Sequence, residues 1–135
     1  MKLLGIITFN IILGVLFTYF GTSGDSRFLC DFLTNQILPI SATIVGFNVS
    51  GVIFLMGHLL QIKGDFSRSK NEIKHNIYFM GIIFVILIFL LFIKPMSFEN
   101  SLYEFTYQSL IMTLFFFQIY AVYEIISAVF NLKSN

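Results

Sequence analysis

Glu124 is the one carboxylate inside the long apolar stretch from Thr106 to Leu132. Insertion scales place an ionised residue at the centre of a membrane span at about 2.5–3.5 kcal/mol, and such residues face a bundle interior or a wet cavity and mark ion or proton routes. On a helical wheel, Thr106, Ser109, Thr113, Phe117, Tyr120, Ser127 and Asn131 fall within about 60° of Glu124. Gln118 and Tyr107 form a second ridge about 110° away. A polar stripe along a membrane helix must face protein or water, because lipid offers no hydrogen-bond partner. Two readings of Glu124 stay open. It lines a water-filled path, or it reaches the interface or pairs with Lys74, His75 or His58.

A second face lies between Ile37 and Ile62. Thr43, Gly46, Ser50, Gly57 and Gln61 share a stripe roughly 60° wide. Ala42, Gly46 and Ser50 repeat small residues every four positions, a spacing that lets two helix backbones approach closely. This face is a packing surface or the wall of a wet cavity. Ser41 and Asn48 point the other way and are expected to hydrogen-bond to a neighbouring helix.

His58 and His75 add two candidate metal or relay groups, but no H-x-x-H or C-x-x-C spacing accompanies them. No metal and no cofactor is expected. Cys30, the single cysteine, excludes a disulfide scaffold. A nucleophile elbow, a phosphate-binding glycine loop and paired intramembrane carboxylates are all missing from the sequence, which argues against an enzyme. The segment 63–75 is basic, with Lys63, Arg68, Lys70 and Lys74. It sets topology, attracts anionic headgroups or holds a phosphate-bearing ligand. Repeated around a ring of subunits it becomes a collar suited to an oligonucleotide or nucleotide.

The elements carrying these residues follow from composition. The chain has 135 residues, 57 % hydrophobic and only 11 % charged, with 18 phenylalanines and no tryptophan. Soluble domains carry about 25 % charge, so these residues cannot cover a soluble surface. A net charge of +1 supplies no global basic field. The fold class is therefore all-α: an integral membrane four-helix subunit assembling as a homo-oligomer. A single transmembrane domain over 1–135 has helices at about 3–20, 37–62, 76–93 and 106–132, each long enough for a bilayer core of about 30 Å. Pro39 falls in the first turn of the second helix, where its missing N–H is harmless. The third span is purely apolar from Phe79 to Ile93 apart from Gly81, as a lipid-facing helix should be. The first span is expected to be a retained helix, since it lacks an A-x-A-like cleavage site and exceeds a usual signal h-region.

Positive residues set orientation. Lys2, Lys63, Arg68, Lys70, Lys74 and Lys133 fall on one side, and Arg27 and Lys94 on the other with Asp25, Asp31, Glu99 and Glu104. Both termini are expected in the cytoplasm, with the chain multi-pass in the inner (cytoplasmic) membrane. Four packed helices enclose no wide path, so a pore needs several copies about an axis. The second and fourth helices then face the axis or one another, the first and third form a lipid jacket, and Glu124 repeats as a carboxylate ring. Phe54 and Phe117 on the same stripes supply a constriction that gates by dewetting.

From Ile40 to Phe92 an A-x-x-x-G-F helix, a short basic joint and an almost purely aliphatic helix follow one another. In this the chain resembles the small four-helix membrane effectors of bacterial antiphage defence, and it is similar in plan to those of the Hailong system. The resemblance implies a homo-oligomeric ion channel. A DNA oligomer made by a partner nucleotidyltransferase would hold it shut, and infection would open it to depolarise the cell. It assigns no residue a role. A holin-like lesion-forming protein and a non-conducting assembly or accessory subunit remain as alternatives.

Overall fold

The computed structural model describes the backbone of residues 2–23, 27–61, 67–93 and 102–131, and the side chains of 4–23, 28–61, 70–93 and 102–128. Those residues are all helical: α1 (Lys2–Ser23), α2 (Arg27–Asp31), a π-helical turn (Phe32–Gln36), α3 (Ile37–Gln61), α4 (Ser67–Ile93) and α5 (Leu102–Asn131). Among the described residues four stretches are long and apolar enough to cross a membrane: Leu4–Ser23, Phe28–Gln61, Lys70–Ile93 and Leu102–Ala128.

α2, the π turn and α3 run on as one helix. Asp31 and Ile37, which flank the turn, keep right-handed helical angles, and the Ile37 N–H donates to the Phe32 carbonyl five residues back. The second span thus starts near Arg27, ten residues before the expected Ile37. Pro39 lies inside it rather than in its first turn. In a regular helix the proline ring meets the carbonyl four residues earlier, here that of Asn35, and offers that carbonyl no N–H. The wider turn immediately before Pro39 absorbs this conflict. Phe28–Gln61 covers 34 residues, about 50 Å of helix, so it tilts within a 30 Å core or projects beyond it.

α5 is the central helix. Forty-four per cent of its span is buried, against 17–22 % for the other three. α1, α3 and α4 each pack on α5, and α3 also packs on α4. α3 runs parallel to α5, since Ser41 meets Gln118 and Gly51 meets Ile125. α4 runs antiparallel, with Asn76 against Ala121 and Tyr107 against Leu90. α1 is antiparallel too, its early residues Gly5 and Phe9 sharing a groove with Tyr123 and Ile119. The starts of α1 and α4 therefore share one end of the unit with the ends of α3 and α5.

Two apolar clusters fill the interior. Leu29, Leu33, Ile37, Leu87, Ile111, Met112 and Phe115 meet near the start of α5, and Val52, Leu55, Leu59, Ile73 and Ile125 near its end. Glycines permit the two tightest approaches. A Cβ on Gly14 would sit 2.8 Å from the Thr113 backbone nitrogen, and one on Gly21 would sit 2.6 Å from Leu29 Cδ2. On α4, Met80, Ile83 and Leu87 turn inward while Phe79, Ile82, Val85, Ile86, Phe89 and Phe92 stay exposed, as its apolar sequence leads one to expect.

Candidate functional site

The polar side chains converge where α3, α4 and α5 meet. Asn48 Nδ2 donates to Asn76 Oδ1 at 3.1 Å. Asn76 Nδ2 donates to the Ala121 carbonyl at 3.1 Å and to Glu124 Oε2 at 3.2 Å. The Tyr120 hydroxyl hydrogen-bonds the same carboxylate from one turn earlier. Further along, Ser41 donates to Gln118 Oε1, and the Tyr107 hydroxyl donates to the Leu90 carbonyl. Three helices are thus joined by side-chain hydrogen bonds within the apolar spans, where such bonds hold helices together. Ser41 and Asn48 point away from the α3 stripe to neighbouring helices, as expected from the sequence.

Glu124 anchors one end of this network and is itself exposed. Its carboxylate is held by Asn76, a partner absent from the expected set. Lys74 places its Nζ 5.8 Å over the Tyr78 ring, and His75 Nδ1 pairs with the Asn71 carbonyl at 2.9 Å. Glu124 lies on the outer flank of the four-helix unit, one turn inside the end of its span at Ala128.

The α5 stripe divides along its length. Ser109 and Thr113 are buried, and Thr113 lies against Gly14 of α1. Phe117 is half-buried and meets Phe79 edge-on at 6.0 Å. Tyr120 and Ser127 are half-buried and Thr106 is exposed. Asn131 ends the helix, and its side chain lies outside the described residues. On the second ridge Gln118 is buried and Tyr107 half-buried, because three helices surround α5 and each claims a different face.

The α3 stripe is open. Thr43, Gly46, Ser50, Gly57 and Gln61 are all exposed, and a Cβ on Gly46 or Gly57 would meet nothing within 4 Å. Thr43 and Ser50 donate to the carbonyls of Pro39 and Gly46 on their own helix, which satisfies both hydroxyls without a neighbour. α3 does face α5, but through Ser41, Gly51 and Leu55 rather than through this stripe. Phe54 is exposed.

The basic segment is mostly helix. α4 begins at Ser67, so Arg68, Lys70 and Lys74 stand on its first two turns, where a joint was expected up to His75. Lys70 is half-buried and Lys74 exposed. The Arg68 side chain and all of Lys63, Asp25, Lys94–Pro95, Glu99 and Lys133 lie outside the described residues. Among the described residues no group of three or more His, Cys, Asp or Glu side chains is placed to hold a metal ion.

Sequence reasoning missed Glu104. It was assigned with the charges beyond the membrane, yet it lies in the first turn of α5 and is buried, as is Gln108. The signal was available: Glu104, Gln108, Ile111, Phe115 and Gln118 recur every three or four residues, the spacing of one inward face. No protein-family model, curated protein or solved structure matches the chain.

Proposed function

We propose that the chain is the subunit of a homo-oligomeric membrane ion channel or pore. The observation that carries this reading is the position of Glu124. It is exposed on the flank of the unit inside a membrane-crossing helix and is fixed there by Asn76. A carboxylate on a lipid-facing flank is unfavourable, whereas in a ring of subunits it lines a shared wet path and selects cations. The open small-residue face of α3 supplies a surface on which another copy can pack closely.

In this reading the protein is a gated effector that depolarises the membrane in antiphage defence. It sits in the inner membrane with both termini cytoplasmic. Arg68, Lys70 and Lys74 on the first turns of α4, with Lys63 before them in the sequence, supply positive charge where a DNA oligomer or nucleotide from a partner nucleotidyltransferase would bind. The pore-lining or gating set is Glu124, Tyr120, Phe117, Ser127 and Asn131 from α5, with Thr43, Ser50 and Gln61 from α3. Thr113, packed under α1, is left out of it.

A second reading is favoured by one observation. Thr43 and Ser50 are satisfied by their own helix and need neither water nor a partner, as suits a non-conducting assembly subunit. Planar-bilayer recordings on purified oligomers decide between the two. The channel reading predicts unitary currents whose reversal potential shifts in Glu124→Gln. Silent bilayers containing verified oligomers would refute it.

A further inference from the structure

The face of α5 enclosed by its neighbours carries polar side chains deep in the unit. Glu104, Gln108 and Gln118 are 4 %, 2 % and 0 % exposed. Gln118 accepts from Ser41. Two turns further along the same face of α3, Asn48 begins the chain of hydrogen bonds through Asn76 to Glu124. Between Gln108 and Gln118 this face is apolar, closed by Ile111, Met112 and Phe115 within the first core cluster.

Interhelical adhesion accounts for the bonds formed but not for what is left over. Gln108 Oε1, Ser109 Oγ, Gln118 Nε2 and Asn48 Oδ1 are buried without a hydrogen-bond partner among the described residues. Buried polar atoms ordinarily pair with protein or ordered water, and water settles where several polar groups converge. Gln108 and Ser109 lie before the apolar plug along α5; Gln118 lies beyond it, and Asn48 two turns further along α3 from the Gln118 partner Ser41. The rise along α5 from Glu104 to Glu124 is about 30 Å, the thickness of a bilayer core.

We propose that the interior of a single four-helix unit is a proton path from Glu104 to Glu124, gated by the plug of Ile111, Met112 and Phe115. A proton adds to the Glu104 carboxylate and passes to a water held at Gln108. Each water in turn accepts one proton and gives up another. The amides of Gln108, Gln118 and Asn48 orient these waters and do not titrate. The last water protonates Glu124, which releases the proton to the wet path that its exposed side faces in the proposed assembly. One proton moves and nothing is oxidised or reduced. While the plug is dry the chain of waters is broken, and wetting it completes the path. Close-packed side chains leave single-file water no room to carry a hydrated alkali cation. The path runs inside one subunit and meets the proposed pore between subunits only at Glu124, its exit.

The full chain in liposomes tests this, with an internal pH-sensitive dye reading proton flux and a potassium-sensitive dye run in parallel. Phe115→Ala should raise proton flux at least tenfold and leave potassium flux unchanged. Adding Gln118→Leu to Phe115→Ala should return proton flux to the wild-type rate. Ile111→Val is the milder opening, should Phe115→Ala fold poorly, and should raise flux severalfold. Leu59→Ala loosens the other core cluster, away from the plug, and should leave proton flux at the wild-type rate. The proposal is overturned by an equal rise in potassium flux, by an equal rise in Leu59→Ala, or by insensitivity to Gln118→Leu. Failure of the intersubunit channel has a different signature, namely no potassium flux in any variant while the Phe115→Ala proton flux persists.

Discussion

Asn76→Leu removes three hydrogen bonds at once: the one accepted from Asn48 and those given to Ala121 and Glu124, all between 3.1 and 3.2 Å. Side-chain hydrogen bonds between membrane helices average about 0.6 kcal/mol in double-mutant cycles and reach about 1.7. Three average bonds amount to about 2 kcal/mol. The variant also leaves the Asn48 amide, which is 1 % exposed, without its Asn76 acceptor, so the loss should sit at or above that figure. Leucine has as many side-chain heavy atoms as asparagine, branched at the same carbon, so cavity formation adds little. The assay is reversible unfolding in mixed micelles followed by helical signal, at fixed protein concentration. Ser50→Ala is the control: its hydroxyl bonds only to its own helix, so it should change stability by less than about 0.5 kcal/mol. A cycle of Asn76→Leu with Glu124→Ala should show a coupling near 1 kcal/mol. A loss for Asn76→Leu no larger than that of Ser50→Ala, with zero coupling to Glu124, would refute the reasoning, because the network would then neither bind the helices nor fix the carboxylate.

Three further outcomes follow from the same geometry. Gly14→Ala places a methyl 2.8 Å from the Thr113 backbone nitrogen, which no rotamer change relieves, so the same unfolding assay should show a loss of about 1–3 kcal/mol. Gly46→Leu adds bulk where a Cβ meets nothing; subunit stability should hold while light scattering in mild detergent shows smaller oligomers. The pair Lys70→Ala and Lys74→Ala should weaken binding to anionic vesicles or short single-stranded DNA by about 1 kcal/mol per charge, roughly fivefold each, at low salt.

The four crossings and the polar stripe on the last helix were legible because hydropathy and a 3.6-residue period are local properties of the chain. The partners of Ser41 and Asn48 were anticipated in kind for the same reason. What the chain did not disclose was which helix stands at the centre. In lipid, an apolar face meets a helix or a tail equally well, so periodicity alone gave α5 a polar stripe and a second ridge without showing that three neighbours pack around it. The early start of the second span was hidden by Asp31, counted with the charges beyond the membrane, and by Pro39, read as lying in a first turn. Leu29, Leu33 and Ile37, spaced four apart and buried together, are the helical signal that outweighs them. Glu104 was misplaced on charge alone, although Gln108 one turn later shares its face. The openness of the α3 stripe depends on the absence of any neighbour over Gly46 and Gly57 within the unit, and no local pattern reports that.

The measurement closest to the central claim is ion flux through purified protein in liposomes, wild type beside Glu124→Gln, with and without short single-stranded DNA. The account predicts cation flux in the wild type, altered rate or selectivity in the variant, and suppression by DNA acting at the basic end. Verified, inserted oligomers that pass no ions in any condition would contradict it, and the exposed carboxylate and the open face of α3 would then serve assembly alone.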